Sequence, residues 1–400
     1  MTDGIGRRGF LQTGAAAIGG AALGAGGHLA WQTATRSPAA AADAVGRAVE
    51  PFRGEHQHGV DTVPQSFAAW LAFDLLPGVD REALVRLMRI WTDDIERLTA
   101  GRPGLTDTEP ELAMTPARLT VTVAYGPGLL SAAGRDDLAP PWLAPLPPFS
   151  IDRLEDRWSG GDVVLQVCAD DTLAIAHAGR LLTTQAATFV RPRWTQQGFR
   201  ASPGATAPGT TMRNLMGQVD GTRNLDPVAD ADLLWCGADA PEWLVGGTSM
   251  VVRRIAMDLD GWDLVDRTGR EFTIGRRLSD GSPLTGVDEH DEPDLGATDE
   301  LGLPVIDMAA HLRRARTEDP DARFLRRGYN FHDPGEPDGR SSGLVFVTFQ
   351  RDVLTQYLPV QRSLDRLDLL NTWTTPVGSA VLAVPAGPLD GEFLGERLLG

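Results

Sequence analysis

Apolar and polar positions fall into two successive rounds of one pattern. The first round opens with Ser66–Leu75, an apolar run of strand length. From Arg81 to Leu98 the residues Leu84, Leu87, Met88, Trp91, Ile95 and Leu98 recur at helical spacing, which predicts an amphipathic helix with one buried face. Arg118–Tyr125 alternates Leu119, Val121 and Val123 in strand fashion. The proline-rich stretch Pro140–Pro148 reads as a loop. Asp162–Ala169 is a further apolar strand, and Asp170-Asp171-Thr172 offers an N-cap for a helix to about Ala186. Thr188–Phe199 completes the set as a strand. The order β-α-β-β-α-β describes a ferredoxin-like unit, with helices on one face of an antiparallel sheet.

Ser202–Thr211, rich in Pro, Gly, Ala and Thr, interrupts the pattern, which then recurs without detectable sequence repetition. Thr248–Met257 is predicted as a strand and Trp262–Ile274 as a helix. Arg327–Phe331 and Gly343–Gln350 are predicted as strands. Asp352 to about Leu370 is predicted as a helix with Leu354, Leu358, Gln361 and Leu364 on one face, and Val377–Pro385 as the last strand. The second round carries a large insertion, roughly Arg277–Arg326, between its first helix and second strand. Its stretch Asp288–Asp294 is polar enough for a solvated loop. Long loops inside compact domains are usually functional or disordered. This one ends in His311 and Arg326, which favours function. The expected fold class is therefore α+β: two ferredoxin-like β-α-β-β-α-β units with antiparallel sheets, spanning 43–205 and 206–400.

Residues 1–42 are set apart from this fold. Gly6-Arg7-Arg8-Gly9-Phe10-Leu11-Gln12 precedes a weakly apolar Ala/Gly run from Thr13 to Ala30, and Ala39–Ala42 offers small residues for cleavage. The run is too poor in large apolar residues for a good bilayer span. The twin arginine with Phe-Leu resembles the signal of the twin-arginine export route. The expectation is export by that machinery to the periplasm or beyond the cell, with no stable membrane span in the mature chain. That route carries folded proteins, which suits a cofactor inserted before export.

Charge and cysteine content narrow the chemistry. A formal net charge of −17 argues against nucleic acid and anionic lipid as partners. Two cysteines, Cys168 and Cys236, hold no disulfide framework. His56 and His58 form a His-x-His that could bind a transition metal if a third ligand were near. His177 falls within a predicted helix.

The strongest candidate chemistry lies in two stretches. One is Asn214-Leu215-Met216-Gly217-Gln218-Val219-Asp220-Gly221-Thr222-Arg223-Asn224, whose Asp-Gly step marks a tight turn. The other runs from Met308 through His311 to Leu325-Arg326-Arg327-Gly328-Tyr329. The ordered set Gly-x-x-Asp-Gly, His, Leu-Arg-Arg-Gly-Tyr resembles the dye-decolorizing haem peroxidases. Gly54-Glu55-His56-Gln57-His58-Gly59 and Gln166–Asp171 extend the likeness over nearly the whole chain. Gln218 departs from it, since many members carry Phe there.

The resemblance implies haem b in the C-terminal unit. It would be bound non-covalently, since no Cys-x-x-Cys-His is present. It implies His311 as the axial iron ligand, with a carboxylate on its other ring nitrogen to enrich it. Asp368 is the chosen partner and Asp365 the rival, because spacing hardly separates them. Asp220 matches the acid on the opposite haem face, and Arg326 the cation beside the peroxide. Arg327 reads as structural or solvent-facing. Arg276 or Arg223 could neutralise a propionate, and Phe346 could form a wall over the distal face. The implied partners are hydrogen peroxide and a small-molecule reductant, and a homo-oligomer is compatible with the pattern. The implied activity is oxidation of phenols, dyes or similar reductants through a ferryl intermediate. The alternative is a periplasmic iron- or haem-handling protein, serving ferrous-iron oxidation or haem-iron release. For bulky substrates, Trp373 and Tyr357 are candidate electron relays.

Overall fold

Strand β1 (Phe67–Leu75) alternates between two hydrophobic environments: Ala68, Trp70 and Ala72 point one way, Ala69, Leu71 and Phe73 the other. Both faces are covered, which is why strands here read as continuous apolar runs. The computed structural model describes residues 45–336 and 340–400. The predicted export signal, residues 1–42, lies outside them.

β1 pairs antiparallel with β3 (Val163–Ala169) and β4 (Val190–Phe199), and β3 pairs with β2 (Thr120–Tyr125), giving the order β4-β1-β3-β2. Helices α1 (Arg81–Thr99) and α2 (Thr172–Ala186) cover its outer face. The predicted stripe of α1, Leu84 through Leu98, is buried, and Asp80 caps the helix by accepting from the Ala83 N–H at 2.9 Å. Asp171 caps α2 by accepting from the Leu173 N–H.

The second sheet repeats this order. β5 (Thr248–Met257) lies between β9 (Thr374–Val384) and β8 (Ser342–Gln350). Two short strands, β6 (Leu325–Arg326) and β7 (Tyr329–His332), share the other edge of β8. The sheets meet edge to edge through Tyr125↔Ala383 and Phe199↔Asn330, so the pairings close into a ring. Its interior is packed with Trp70, Val164, Cys168, Met250, Tyr329, Phe331, Val347 and Leu382.

Three predicted elements of the second unit are corrected. The expected helix Trp262–Ile274 is broken into Leu259–Asp263 and α3 (Arg267–Ile274). Asp266 takes an extended conformation between them and caps α3 by accepting from the Gly269 N–H at 2.7 Å. α3 ends at Gly275, left-handed at φ 84°. The expected strand Arg327–Phe331 starts two residues earlier and is split at Arg327-Gly328. The expected helix from Asp352 opens with a π turn over Val353–Tyr357 and continues as α5 (Leu358–Leu367), after a short α4 (His311–Arg314) in the insertion. Pro359 lacks the N–H a regular helix needs there, and its ring would clash one turn back. α5 stops at Asp368, in extended conformation at ψ 121°.

The insertion is built from turns. Asp291 accepts from the N–H groups of Val287 and Asp288, Asp294 from those of Gly296 and Ala297, and Asp299 from those of Leu301 and Leu303. Its acidity thus serves turn formation as well as solvation. Among the described residues no helix is long and apolar enough to cross a membrane.

Candidate active site

The stop of α5 at Asp368 builds the histidine side of the site. Asp368 uses one carboxylate oxygen to cap the following turn, accepting from the Leu370 N–H at 3.0 Å. The other accepts from His311 Nδ1 at 2.6 Å. α4 and α5 pack against each other, and the Leu369 N–H bonds to the Ala309 carbonyl at 3.0 Å, so the histidine's segment is anchored beside its carboxylate. Asp365 points elsewhere, accepting from Ser150 Oγ and the Ile151 N–H. Burial disfavours charge on His311, but the Asp368 carboxylate, with a smaller contribution from Asp220, outweighs it and raises the imidazole pKa above its ordinary value. The bond to Asp368 fixes the proton on Nδ1 and leaves the Nε2 lone pair available to a metal.

The opposite wall is the outer face of the second sheet. Arg326 pairs with Thr348, and Phe346 lies two residues along β8 on that same face. Phe346 is half-buried, edge-on to Phe324 with ring centroids 6.3 Å apart. Asp220 ends a small hairpin in which Arg213 bridges to Val219 and Gly217 turns at φ 82°. Its N–H bonds to the Met212 carbonyl at 2.8 Å. Asp220 Oδ1 lies 3.7 Å from Arg326 Nη1, and both side chains keep about a quarter or less of their surface exposed, at 21% and 25%. The Asp220 carboxylate raises the His311 pKa and the Arg326 guanidinium lowers it, so the three groups lie within reach of one another's charge.

Further cations lie near Arg326. Burial lowers the pKa of Arg276, and the neighbouring charges of Arg316 and Arg326 lower it further. Arg276 Nη1 donates to the carbonyls of Gly281 and Glu289, at 2.6 and 2.8 Å. Arg223 is instead half-exposed and paired with Glu292 at 3.1 Å, a carboxylate that Arg316 also holds. Of the two predicted propionate partners, Arg276 is part-buried near the charges of Arg316 and Arg326, whereas Arg223 is on the surface, paired with Glu292.

Three predicted features prove structural. Arg327 turns into the ring interior, fully buried, donating to the Thr62 carbonyl and the Gln65 side chain. His58 is buried, with Nδ1 against the Pro51 carbonyl and Nε2 taking the Val121 N–H at 3.0 Å. Burial pushes its pKa down to about 4 despite the bond to the Pro51 carbonyl, so it is a neutral core histidine. His56 lies flat on Trp235, centroids 3.7 Å apart, and bonds to the Gly246 carbonyl. The His-x-His metal site is thus corrected: both rings are occupied by backbone partners. His177 pairs with Asp107 at 2.9 Å in the core of the first unit.

Sequence reasoning missed the asparagines. Asn214 receives the N–H groups of Met216 and Gln218 and sits 3.4 Å from Asp220 Oδ2. Asn224 and Asn330 tie the Asp220 segment to β6 and β7. The signal available was their position, bracketing Asp220 and closing the Leu-Arg-Arg-Gly-Tyr run.

The site's chemistry fits haem. Among the described residues no three histidine, cysteine or carboxylate side chains gather around one point. A metal on His311 must therefore bring its remaining ligands, as a porphyrin iron does. Arg276, buried and subject to the charges of Arg316 and Arg326, suits a carboxylate-bearing group.

Comparisons with known proteins agree. Residues 57–200 match the family model described as Dyp-type peroxidase, N-terminal, and 211–388 that described as Dyp-type peroxidase, C-terminal. The chain is 40% identical to the dye-decolorizing peroxidase of Thermobifida fusca, over 99% of this chain and 97% of that one. It is 31% identical to a deferrochelatase of Escherichia coli, over 88% and 87%. A crystal structure of a DyP-type peroxidase from Cellulomonas bogoriensis is 61% identical, with a TM-score of 0.87 over 89% of this chain and 99% of that one. The ferric DtpA of Streptomyces lividans is 41% identical, with a TM-score of 0.85 over 89% and 98%.

Proposed function

The chain belongs to the Dyp-type peroxidase family, with haem as its cofactor, and from that footing we propose that it uses hydrogen peroxide to oxidise phenolic, dye-like or similar small reductants. The observation that carries the reading is the pairing of Asp220 with Arg326, together with a carboxylate-bound histidine whose charge both of them influence. Haem bound here would supply the redox centre on which peroxide is reduced.

The chain's own residues would act as follows. His311 Nε2 would hold the iron, with Asp368 keeping the proton on Nδ1. Asp220 accepts a proton from incoming peroxide and returns it to the leaving oxygen. Arg326 donates hydrogen bonds to negative charge developing on the peroxide oxygens. Arg276 would be placed to neutralise a propionate, and Phe346 would limit the space on the Arg326 side.

Relatives named deferrochelatase favour a second reading, a protein that handles iron or haem in iron uptake. Storage or iron release needs no acid beside a cation, so the Asp220–Arg326 pair favours the peroxidase. Mixing the haem-loaded protein with hydrogen peroxide separates the two. The expected result is a rapid change in the Soret band that returns faster as phenol is added, whereas inertness to peroxide supports iron handling. We also propose export by the twin-arginine route, on the strength of Arg7-Arg8 ahead of Phe10-Leu11. A fusion of residues 1–42 to a reporter should be exported, and Arg7→Lys with Arg8→Lys should stop it.

A further inference from the structure

Asp220 and Arg326 make no direct hydrogen bond at their 3.7 Å separation. Their spacing is set by the two backbones that carry them, a hairpin and a two-residue strand about a hundred residues apart in sequence. Two carboxamides join those backbones. Asn224, four residues beyond Asp220, accepts the Arg326 N–H at 2.6 Å and donates to the Arg326 carbonyl at 2.8 Å. One side chain thereby holds both main-chain groups of the arginine. β6 is the sheet edge, and Asn224 takes the place of a further strand. Asn330, four residues beyond Arg326, returns the arrangement. It donates to the Arg213 carbonyl at 3.0 Å and accepts the Leu215 N–H at 3.1 Å.

We infer that Asn224 and Asn330 form a reciprocal lock that sets the distance between Asp220 and Arg326, and that both are positioning residues for the peroxide reaction. The inference rests on the assignment of Asp220 and Arg326 to that reaction. A carboxamide donates and accepts at once, carries no charge, and has only two side-chain torsions. Two of them acting in opposite directions fix both the separation and the tilt of the segments they join. An ionised Asp at either place would accept but not donate, and so would satisfy only one of the two backbone groups.

The test uses the haem-loaded enzyme carrying Asn224→Ala, Asn224→Asp or Asn330→Ala. Gln57→Ala is the comparison. Its carboxamide makes a similar backbone clamp, to Val123 and Pro385, away from this site. Misplacement of reacting groups by about an ångström costs up to about 10²-fold. Each Ala variant should slow the second-order reaction with peroxide about 10- to 100-fold while kcat/KM for the reductant stays near the parent value. Cyanide, which also needs a distal hydrogen-bond donor, should bind about tenfold more weakly by its Soret shift. Asn224→Asp keeps one of the two bonds and should fall between parent and Ala. Gln57→Ala should lower the melting temperature and leave both readouts alone. In an Asp220→Asn, Arg326→Leu background, Asn224→Ala should have no further effect on the peroxide rate. If both Ala variants behave like Gln57→Ala, or if Asn224→Ala still slows that background, the lock is structural only and the inference is overturned. If Asp220→Asn and Arg326→Leu react with peroxide at the parent rate, it is the underlying peroxidase assignment that fails.

Discussion

Replacing Asp368 by Asn tests the proximal side with little disturbance of the fold. The amide oxygen can still cap Leu370, so that bond is kept. What changes is the atom facing His311 Nδ1, 2.6 Å away beside a carboxylate only 3% exposed. An amide N–H there meets the imidazole N–H donor to donor. Relief comes if the ring moves its proton to Nε2, and a protonated Nε2 cannot bind iron. Loss of such a partner behind a metal ligand typically costs about 10–100-fold in affinity, or about 1.4–2.7 kcal/mol. Where the carboxylate favours ferric over ferrous haem by that much, its removal raises the one-electron midpoint by about 60–120 mV, at 59 mV per tenfold. Spectroelectrochemistry reads the midpoint, and haem transfer to an apo-globin reads the affinity. A variant with full haem content and an unchanged midpoint would refute the claim that Asp368 governs the ligand.

Asp220→Asn should slow the peroxide reaction by about 10²–10⁴-fold and Arg326→Leu by about 10²–10³-fold in stopped flow; a parent rate in the first alone would give bond cleavage to Arg326. His58 is held neutral, with its folded pKa near 4 against an ordinary 6.5. The unfolded chain takes up that proton first, so His58 supports stability fully above about pH 6.5 and loses about 3 kcal/mol of it as pH falls to 4. Denaturant unfolding of parent and His58→Asn should therefore converge on acidification, and a constant gap between pH 7 and 4.5 would exclude a neutral His58. Trp373 is half-buried and edge-on to Trp262 at 5.1 Å, whereas Tyr357 is buried, bonded to Gln361, and pushed by burial to a pKa of about 12. Trp373→Phe should lower turnover of bulky dyes while Tyr357→Phe leaves it intact; dye turnover unchanged in the double variant would favour direct access at the haem edge.

The fold was legible wherever periodicity was strong. The α1 stripe and the buried strands needed only apolar spacing, because burial on both faces leaves little latitude. Element ends were less legible, because local side-chain bonds decide them: Asp266 interrupts a helix that hydrophobic spacing alone continues. The choice between Asp365 and Asp368 also exceeded the sequence. Three residues separate two carboxylates of equal chemistry, and only the helix stop at Asp368 turns one toward His311. The asparagine contacts were hidden for a different reason. They bind main-chain atoms about a hundred residues away, and backbone groups leave no trace in residue identity.

Arg327 carries a consequence for attempts to dissect the protein. Its neighbour Arg326 faces the candidate active site, while Arg327 reaches through the ring to Thr62 and Gln65 of the other unit. A fragment beginning at the boundary near residue 206 would keep His311, Asp368, Asp220 and Arg326 yet leave the Arg327 guanidinium stripped of both acceptors on an exposed sheet face. The strand bearing Arg326 would keep β8 and Asn224 but lose the anchor that Arg327 makes to the other unit. The C-terminal half is thus not a transplantable haem cassette, and engineers wishing to graft it need to carry the Thr62–Gln65 stretch along.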